Sequence, residues 1–308
     1  MAHQGRLLGA LATKATSDAL RPDLVSGRRR LPLAWLGTVP FFAYALAFLL
    51  VPAGEVMTGA FKSVNGGWTL SNVRDLFDQP YITDYKTSIE ISLITALLGG
   101  AFGFLIAYAS TLDGTPRWVR SVFATFSGVA ANFGGIPLAF AFIATLGTLG
   151  IVTNFLRDQL HWNIYRQGFT LFGTNGIELV YLYFQIPLMI LVIAPAIDGL
   201  RREWREAAAN LGASRWQFWR YVGVPILMPS LLGAVILLFG NAFAAYATAY
   251  ALDSAAPLVP LAIGAYYTGN VLSNPHLAQA LAFGMFVVLA AMMAIYIPLQ
   301  RRTARWMR

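Results

Sequence analysis

The sequence predicts an all-α integral membrane protein with six transmembrane helices, on three observations. Of 308 residues, 57% are hydrophobic and only 12% are charged, a balance suited to lipid rather than water. Six windows, 33–53, 91–112, 121–156, 179–197, 221–252 and 254–300, carry no charge, and about 20 mainly apolar residues cross a hydrocarbon core about 30 Å thick. With the N-terminus inside, 17 of the 22 Lys and Arg lie on the inner side: six in 1–30, two in 113–120, five in 198–220 and four in 301–308. The outer segments keep Lys62, Arg74, Lys86, Arg157 and Arg166, which is the asymmetry of positive-inside insertion.

Taken in order, Met1–Arg30 is basic, but its apolar run Leu7–Ala12 is too short for a signal-peptide core. It is expected to be a cytoplasmic tail. Span one is expected near 33–53, kinked or shifted at Pro40, and an outer loop follows over 54–87 with Asn65-Gly66-Gly67, Asp75, Asp78 and Asp84. Span two is expected over 88–110, where Gly99, Gly100 and Gly103 form a small-residue face that lets another helix approach closely. Asp113-Gly114-Thr115-Pro116 reads as a tight inner turn.

Span three starts near Ser121 and carries Asn132-Phe133-Gly134-Gly135-Ile136-Pro137 in its middle; the surplus 147–156 is placed at the outer interface. Span four is expected over 176–197, and span five from Pro225–Pro229 to about Leu252. The stretch 254–275 holds Pro257, Pro260, Gly264, Gly269 and Pro275, which disfavours a straight lipid-facing helix. A seventh crossing would also carry Arg301, Arg302, Arg305 and Arg308 outside. Span six is therefore set at 277–299. The spanning region is 31–300, and 301–308 is a second cytoplasmic tail.

Composition excludes several functions. There is no cysteine, and the three histidines, His3, His161 and His276, lie far apart, so neither thiolate nor histidine metal centres are expected. The net charge of +8 reports topology, since no basic patch alternates with a stacking platform for nucleic acid. An intramembrane enzyme would need clustered His, Asp, Glu or Ser, and a secondary transporter would show charge relays or an inverted repeat; neither pattern is present. No G-x-x-x-x-G-K-[ST] phosphate loop occurs, so this chain does not cradle ATP by that device.

The inner loop 198–225 is the most informative segment. Leu200, Trp204, Ala207, Ala208 and Leu211 share one face of a predicted helix, and Gly212 stands where its C-terminus needs positive φ. Ser214-Arg215-Trp216-Gln217 has capping-box spacing and opens a second helix towards Pro225. Small Ala207 and Ala208 admit a partner, and Glu206 offers an acceptor. The residues alone also suit an amphipathic hairpin resting on headgroups.

Glu206-Ala207-Ala208, Gly212 and Pro225 resemble the EAA signature of binding-protein-dependent ABC importer permeases, the MetI-like type I family, with Val222 and Val224 where Ile and Leu are usual. The resemblance runs from span one to the C-terminus. It implies a MetI-like permease fold, a multi-pass protein of the bacterial inner membrane, and a coupling helix that inserts into a groove on a cytosolic ATPase. Glu206, Ala207, Ala208, Gly212 and Pro225 inherit that coupling role. The implied partners are ABC ATPase subunits, a second permease (identical or homologous) and an extracytoplasmic solute-binding protein. ATP and magnesium belong to the ATPase, with no cofactor on this chain.

For the pathway the candidates are Glu90 and Glu178 at outer span ends, Asn132 in the glycine-broken span, and Asn241 and Tyr246 with Thr248 and Tyr250 in span five. The carboxylates suit either solvated helix starts or attraction of a cation. The polar span residues suit either a pathway lining or helix–helix hydrogen bonds. The segment Phe239–Tyr250 resembles that of spermidine/putrescine-type permeases, a subfamily that also contains chains linked to iron, thiamine or aminophosphonate uptake. A polyamine is the solute this resemblance implies first.

Overall fold

The computed structural model describes residues 34–111, 115–270 and 274–304. The tail 1–30, Asp113 and Gly114 of the inner turn, and 305–308 lie outside them. Among the described residues, six helical stretches are long and apolar enough to cross a membrane: Gly37–Gly59, Tyr81–Ser110, Gly135–Gln159, Thr174–Asp198, Arg215–Phe243 and His276–Arg301. The six-span all-helical architecture stands; the bounds and continuity of several spans differ from expectation.

The chain divides into two compact units, 1–53 and 54–308. The first holds α1 (Ala34–Ala45), which contains Pro40, and a π turn, Leu46–Leu50; α2 (Val51–Gly59) falls across the division between the units. Proline has no N–H to donate, so the hydrogen-bond ladder must adjust upstream of it. The π turn ends two residues before Pro52. A second one, Trp219–Gly223, ends two residues before Pro225.

The second unit continues through α3 (Ser71–Asp75) to α4 (Tyr81–Ser110). Span two therefore begins seven residues before the expected Ser88, because the helix extends past the apolar window through Asp84 and Lys86. Span three is divided: α5 (Arg117–Asn132) ends at Phe133–Gly134, and α6 (Gly135–Leu146) restarts in a new direction set by Gly135 at φ +70°. The surplus 147–156 becomes a glycine turn and a separate helix, α7 (Ile151–Gln159).

α8 (Thr174–Asp198) is continuous. The inner loop holds α9 (Arg202–Asn210) and α10 (Arg215–Phe218), and α11 (Val224–Phe243) follows. Span five stops at Phe243, short of the expected Leu252. A turn at 244–246 separates it from α12 (Ala247–Leu252). The described residues of 254–270 hold the short α13 (Val259–Ala265) and a π turn, Tyr266–Asn270, and no long straight helix, as the prolines predict. Ser88 Oγ accepts from Val259 N at 2.9 Å and pins the start of α13 to α4. α14 (Pro275–Ala304) closes the described fold.

Small residues set the packing. A Cβ at Gly99 would lie 2.6 Å from Gln185 Cβ, and one at Gly103 would lie 2.7 Å from the Ile186 carbonyl oxygen, so α4 and α8 approach backbone to backbone. A Cβ at Gly100 would meet Val235 of α11. The core built on this contact unites α4, α8, α11 and α14 through Ala96, Met189, Leu238 and Leu281. A second core joins α6, α8 and α12 through Leu138, Tyr181 and Leu252.

Candidate functional site

The inner loop folds as an elbow. α9 ends in a complete Schellman motif: Ala213 N donates to Ala208 O at 3.0 Å and Gly212 N to Ala209 O at 2.9 Å, with Gly212 at φ +77°. Those two bonds satisfy carbonyls that any helix end leaves open, and only glycine takes that φ without strain. Ser214 then caps α10 reciprocally. Its Oγ accepts from Gln217 N at 3.2 Å, and Gln217 Oε1 accepts from Ser214 N at 2.7 Å. The helix that begins there continues through the π turn into the membrane span ending at Phe243.

Glu206 and Ala207 are exposed on α9, Ala208 is half-buried, and Glu206 is held by Arg202 one turn earlier at 3.1 Å. Leu211 (88% exposed) and Trp216 (72% exposed) protrude at the corner. Pro225 is half-buried in the first turn of α11. The elbow is tied to α4 by a contact the sequence did not reveal. Trp219 Nε1 donates to Tyr108 Oη at 3.1 Å, with the rings edge to face at 4.6 Å. A force on the elbow thus reaches both α11, by chain continuity, and α4, through this pair. The start of α5 and the end of α8 are joined by Arg120 and Asp198 at 3.6 Å.

A second feature lies where two spans are interrupted. Thr248 Oγ1 accepts from Gly135 N at 2.9 Å and donates to Gly135 O at 3.3 Å, so one hydroxyl clamps the break before α6 to α12. Around this clamp is a cleft of about 300 Å³ bordered by Gly134, Gly135, Phe184, Asn241, Tyr246 and Thr248. Asn241 and Tyr246 thus meet as pathway candidates, and Tyr246 stacks on Tyr250 at 5.4 Å. Asn132 is exposed beside the break, with its amide donating to Gly128 O at 2.8 Å.

The carboxylates fall elsewhere. Glu90 is exposed and sits 3.9 Å from Lys86, and Glu178 is half-buried near the start of α8; neither borders the cleft. Sequence reasoning also missed Gln185. It is fully buried, and its Nε2 donates to Leu238 O at 2.9 Å, while its Oε1 has no partner among the described residues. A lone amide in an uncharged span was the available signal.

Residues 117–308 match the family described as "Binding-protein-dependent transport system inner membrane component". The chain is 25% identical over 251 residues to a "Probable sulfate transport system permease protein cysT" of Nephroselmis olivacea, covering 80% of this chain and 82% of that protein. It is 27% identical over 216 residues to the "Sulfate transport system permease protein CysT" of Escherichia coli K12, covering 70% and 73%. Both relatives are named for sulfate, where the segment Phe239–Tyr250 had suggested the spermidine/putrescine subfamily. The fold resembles a chain of the bacterial alginate ABC transporter solved with its alginate pentasaccharide-bound periplasmic protein, at TM-score 0.68 and 19% identity, covering 91% of this chain and 97% of that one. The interrupted six-span bundle, the α9–α10 elbow and the match over 117–308 together identify this chain as a member of the binding-protein-dependent transport family, a multi-pass permease subunit of an ABC importer.

Proposed function

We propose that this permease subunit carries a small oxyanion of the sulfate class, driven by a separate ATPase that docks on the α9–α10 elbow from the cytosol. The elbow carries the reading. It is a pre-formed corner, locked by a Schellman motif and a capping box, that presents Glu206 and Ala207 without obstruction. Such a corner transmits displacement because its own hydrogen bonds are complete. Gly212 sets its angle and Pro225 begins the span it moves. Nucleotide and magnesium would reside on the ATPase, and a second permease subunit would supply the other half of the pathway. An extracytoplasmic binding protein would deliver the solute, as the periplasmic protein in the alginate transporter complex suggests. Both tails, 1–30 and 301–308, are assigned to the cytosol, with the permease domain between them. Transport is then a population shift between two states, each favoured by different partners.

An oxyanion is favoured over a polyamine by the cleft and by the relatives' names. The described residues bordering the cleft include no carboxylate to balance a polycation. Gly135 opens α6 against it, so the positive end of that helix dipole is directed there. Asn241 and Tyr246 add neutral polar side chains to the border of the cleft. The test is uptake by vesicles containing this chain with its ATPase, second permease and binding protein. ATP-dependent entry of radiolabelled sulfate, unaffected by excess putrescine or thiamine, is expected. Putrescine entry without sulfate entry overturns the solute assignment, and entry without nucleotide overturns the coupling.

A further inference from the structure

Two polar side chains of α8 reach across to the end of α11, and neither is part of the elbow or of the cleft's border. Tyr181 Oη donates to Ala245 O at 3.0 Å, and Gln185 Nε2 donates to Leu238 O at 2.9 Å. Tyr181 is buried and Gln185 fully so. They stand one turn apart, and helix residues at that spacing share a face. Their acceptors bracket the place where α11 stops at Phe243 and the turn 244–246 begins. Between those acceptors in the chain lies Asn241, which borders the cleft together with Ala244, Ala245 and Tyr246. The α8 side of this clasp is itself fixed, because Gly99 lets the α4 backbone close on Gln185.

The two bonds differ in kind. Ala245 lies where the helical ladder is interrupted, so Tyr181 gives its carbonyl a partner inside that gap. Leu238 sits within α11, where a carbonyl already accepts from the N–H four residues on. Backbone satisfaction therefore does not require Gln185. The amide also leaves its Oε1 without a partner among the described residues, and a buried polar atom left unpaired weakens a fold. An apolar side chain of similar size would fill this core at least as well. What the amide adds is register, a directional tie between the last turns of α11 and α8. We propose that Tyr181 and Gln185 are positioning residues of the transport pathway, holding the interrupted end of α11 so that Asn241 and Tyr246 stay at the cleft. This rests on the assignment of that cleft to the pathway given above. Thr248 ties the break before α6 to α12, and the α8 pair ties the break after α11 to α8. Both interruptions of the bundle are then set by side-chain hydrogen bonds.

The test uses a single introduced thiol, since the chain has no cysteine. Ala245→Cys places it, half-buried, on the held turn. In the full chain in detergent, a small maleimide should label that thiol about three- to tenfold faster after Tyr181→Phe or Gln185→Leu, the effect of losing one hydrogen bond. Thr95→Val is the control. Its hydroxyl is as buried as Gln185 but donates to Ile91 O of its own helix at 2.7 Å, so labelling should not change. Gln185→Leu should also keep or raise the midpoint of SDS-induced unfolding. In the reconstituted transporter, both variants should cut sulfate uptake per ATP hydrolysed severalfold. Unchanged labelling in both variants, or equal acceleration by Thr95→Val, overturns the proposal. So does faster labelling with unaltered sulfate uptake. A Gln185→Leu midpoint that falls in step with the labelling would make the amide a packing group and overturn it too. Labelling is read without solute or nucleotide, so it decides this proposal even if the parent transporter carries no sulfate.

Discussion

Replacing Gly103 by alanine should force α4 and α8 apart at their closest approach. The new Cβ would lie 2.5 Å from Met189 Cβ and 2.7 Å from the Ile186 carbonyl oxygen. Ordinary contact needs at least several tenths of an ångström more, and neither atom is the flexible end of a side chain. The backbones must therefore separate, and overpacking of this kind costs ~1–3 kcal/mol. Gly128, in the middle of α5, is the matched control, because a Cβ there meets nothing within 4 Å. Alanine at 128 should be neutral or stabilise by up to about 1 kcal/mol through helix propensity. The midpoint of SDS-induced unfolding in mixed micelles reports both. Gly103→Ala as stable as the parent chain, or equal loss at 128, would refute the packing of α4 on α8 described here.

Thr248→Val keeps the shape of the clamp but strips Gly135 N of its acceptor. A polar group left unsatisfied costs about 1–3 kcal/mol, so sulfate uptake should fall several-fold while ATPase co-purification is retained; unchanged uptake would dissociate the clamp from transport. Arg202→Ala removes only an exposed pair, worth about 0.5 kcal/mol or less, and should leave ATPase binding intact, whereas Glu206→Ala should release the ATPase. Equal effects would mean that Glu206 acts by stabilising α9. Gly212→Val places a β-branched residue at φ +77°, so ATPase co-purification should drop sharply without loss of the folded bundle on size exclusion. Glu90→Gln and Glu178→Gln should transport normally, and a tenfold loss in either would revive a cationic solute.

Much of the elbow was legible because its chemistry is local. Gly212 and the Ser214–Gln217 pair specify their geometry within a few residues, and α9 and the capping box formed where the spacing put them. The count of spans followed from charge and apolar length, which depend little on packing. What stayed hidden was non-local or unpunctuated. The turn at 244–246 lies in Ala244-Ala245-Tyr246, with no glycine or proline to mark it. Just beyond it, Thr248 reaches Gly135 across 113 residues through its hydroxyl. The Tyr108–Trp219 link likewise crosses 111 residues. Asn241 and Tyr246 were legible as polar side chains in an apolar span, yet their meeting at one cleft needed the broken helices. Span two was placed too short because charged residues near its start suggested a loop, whereas the helix projects through them.

The central claim is that the α9–α10 elbow is the contact through which a cytosolic ATPase moves the spans. The chain contains no cysteine, so Ala207→Cys introduces a unique thiol at the exposed corner. In the assembled transporter that thiol should cross-link to the ATPase and, in intact cells, resist a membrane-impermeant maleimide. Labelling from outside, or an assembled complex whose ATPase never cross-links at 207, would contradict the account.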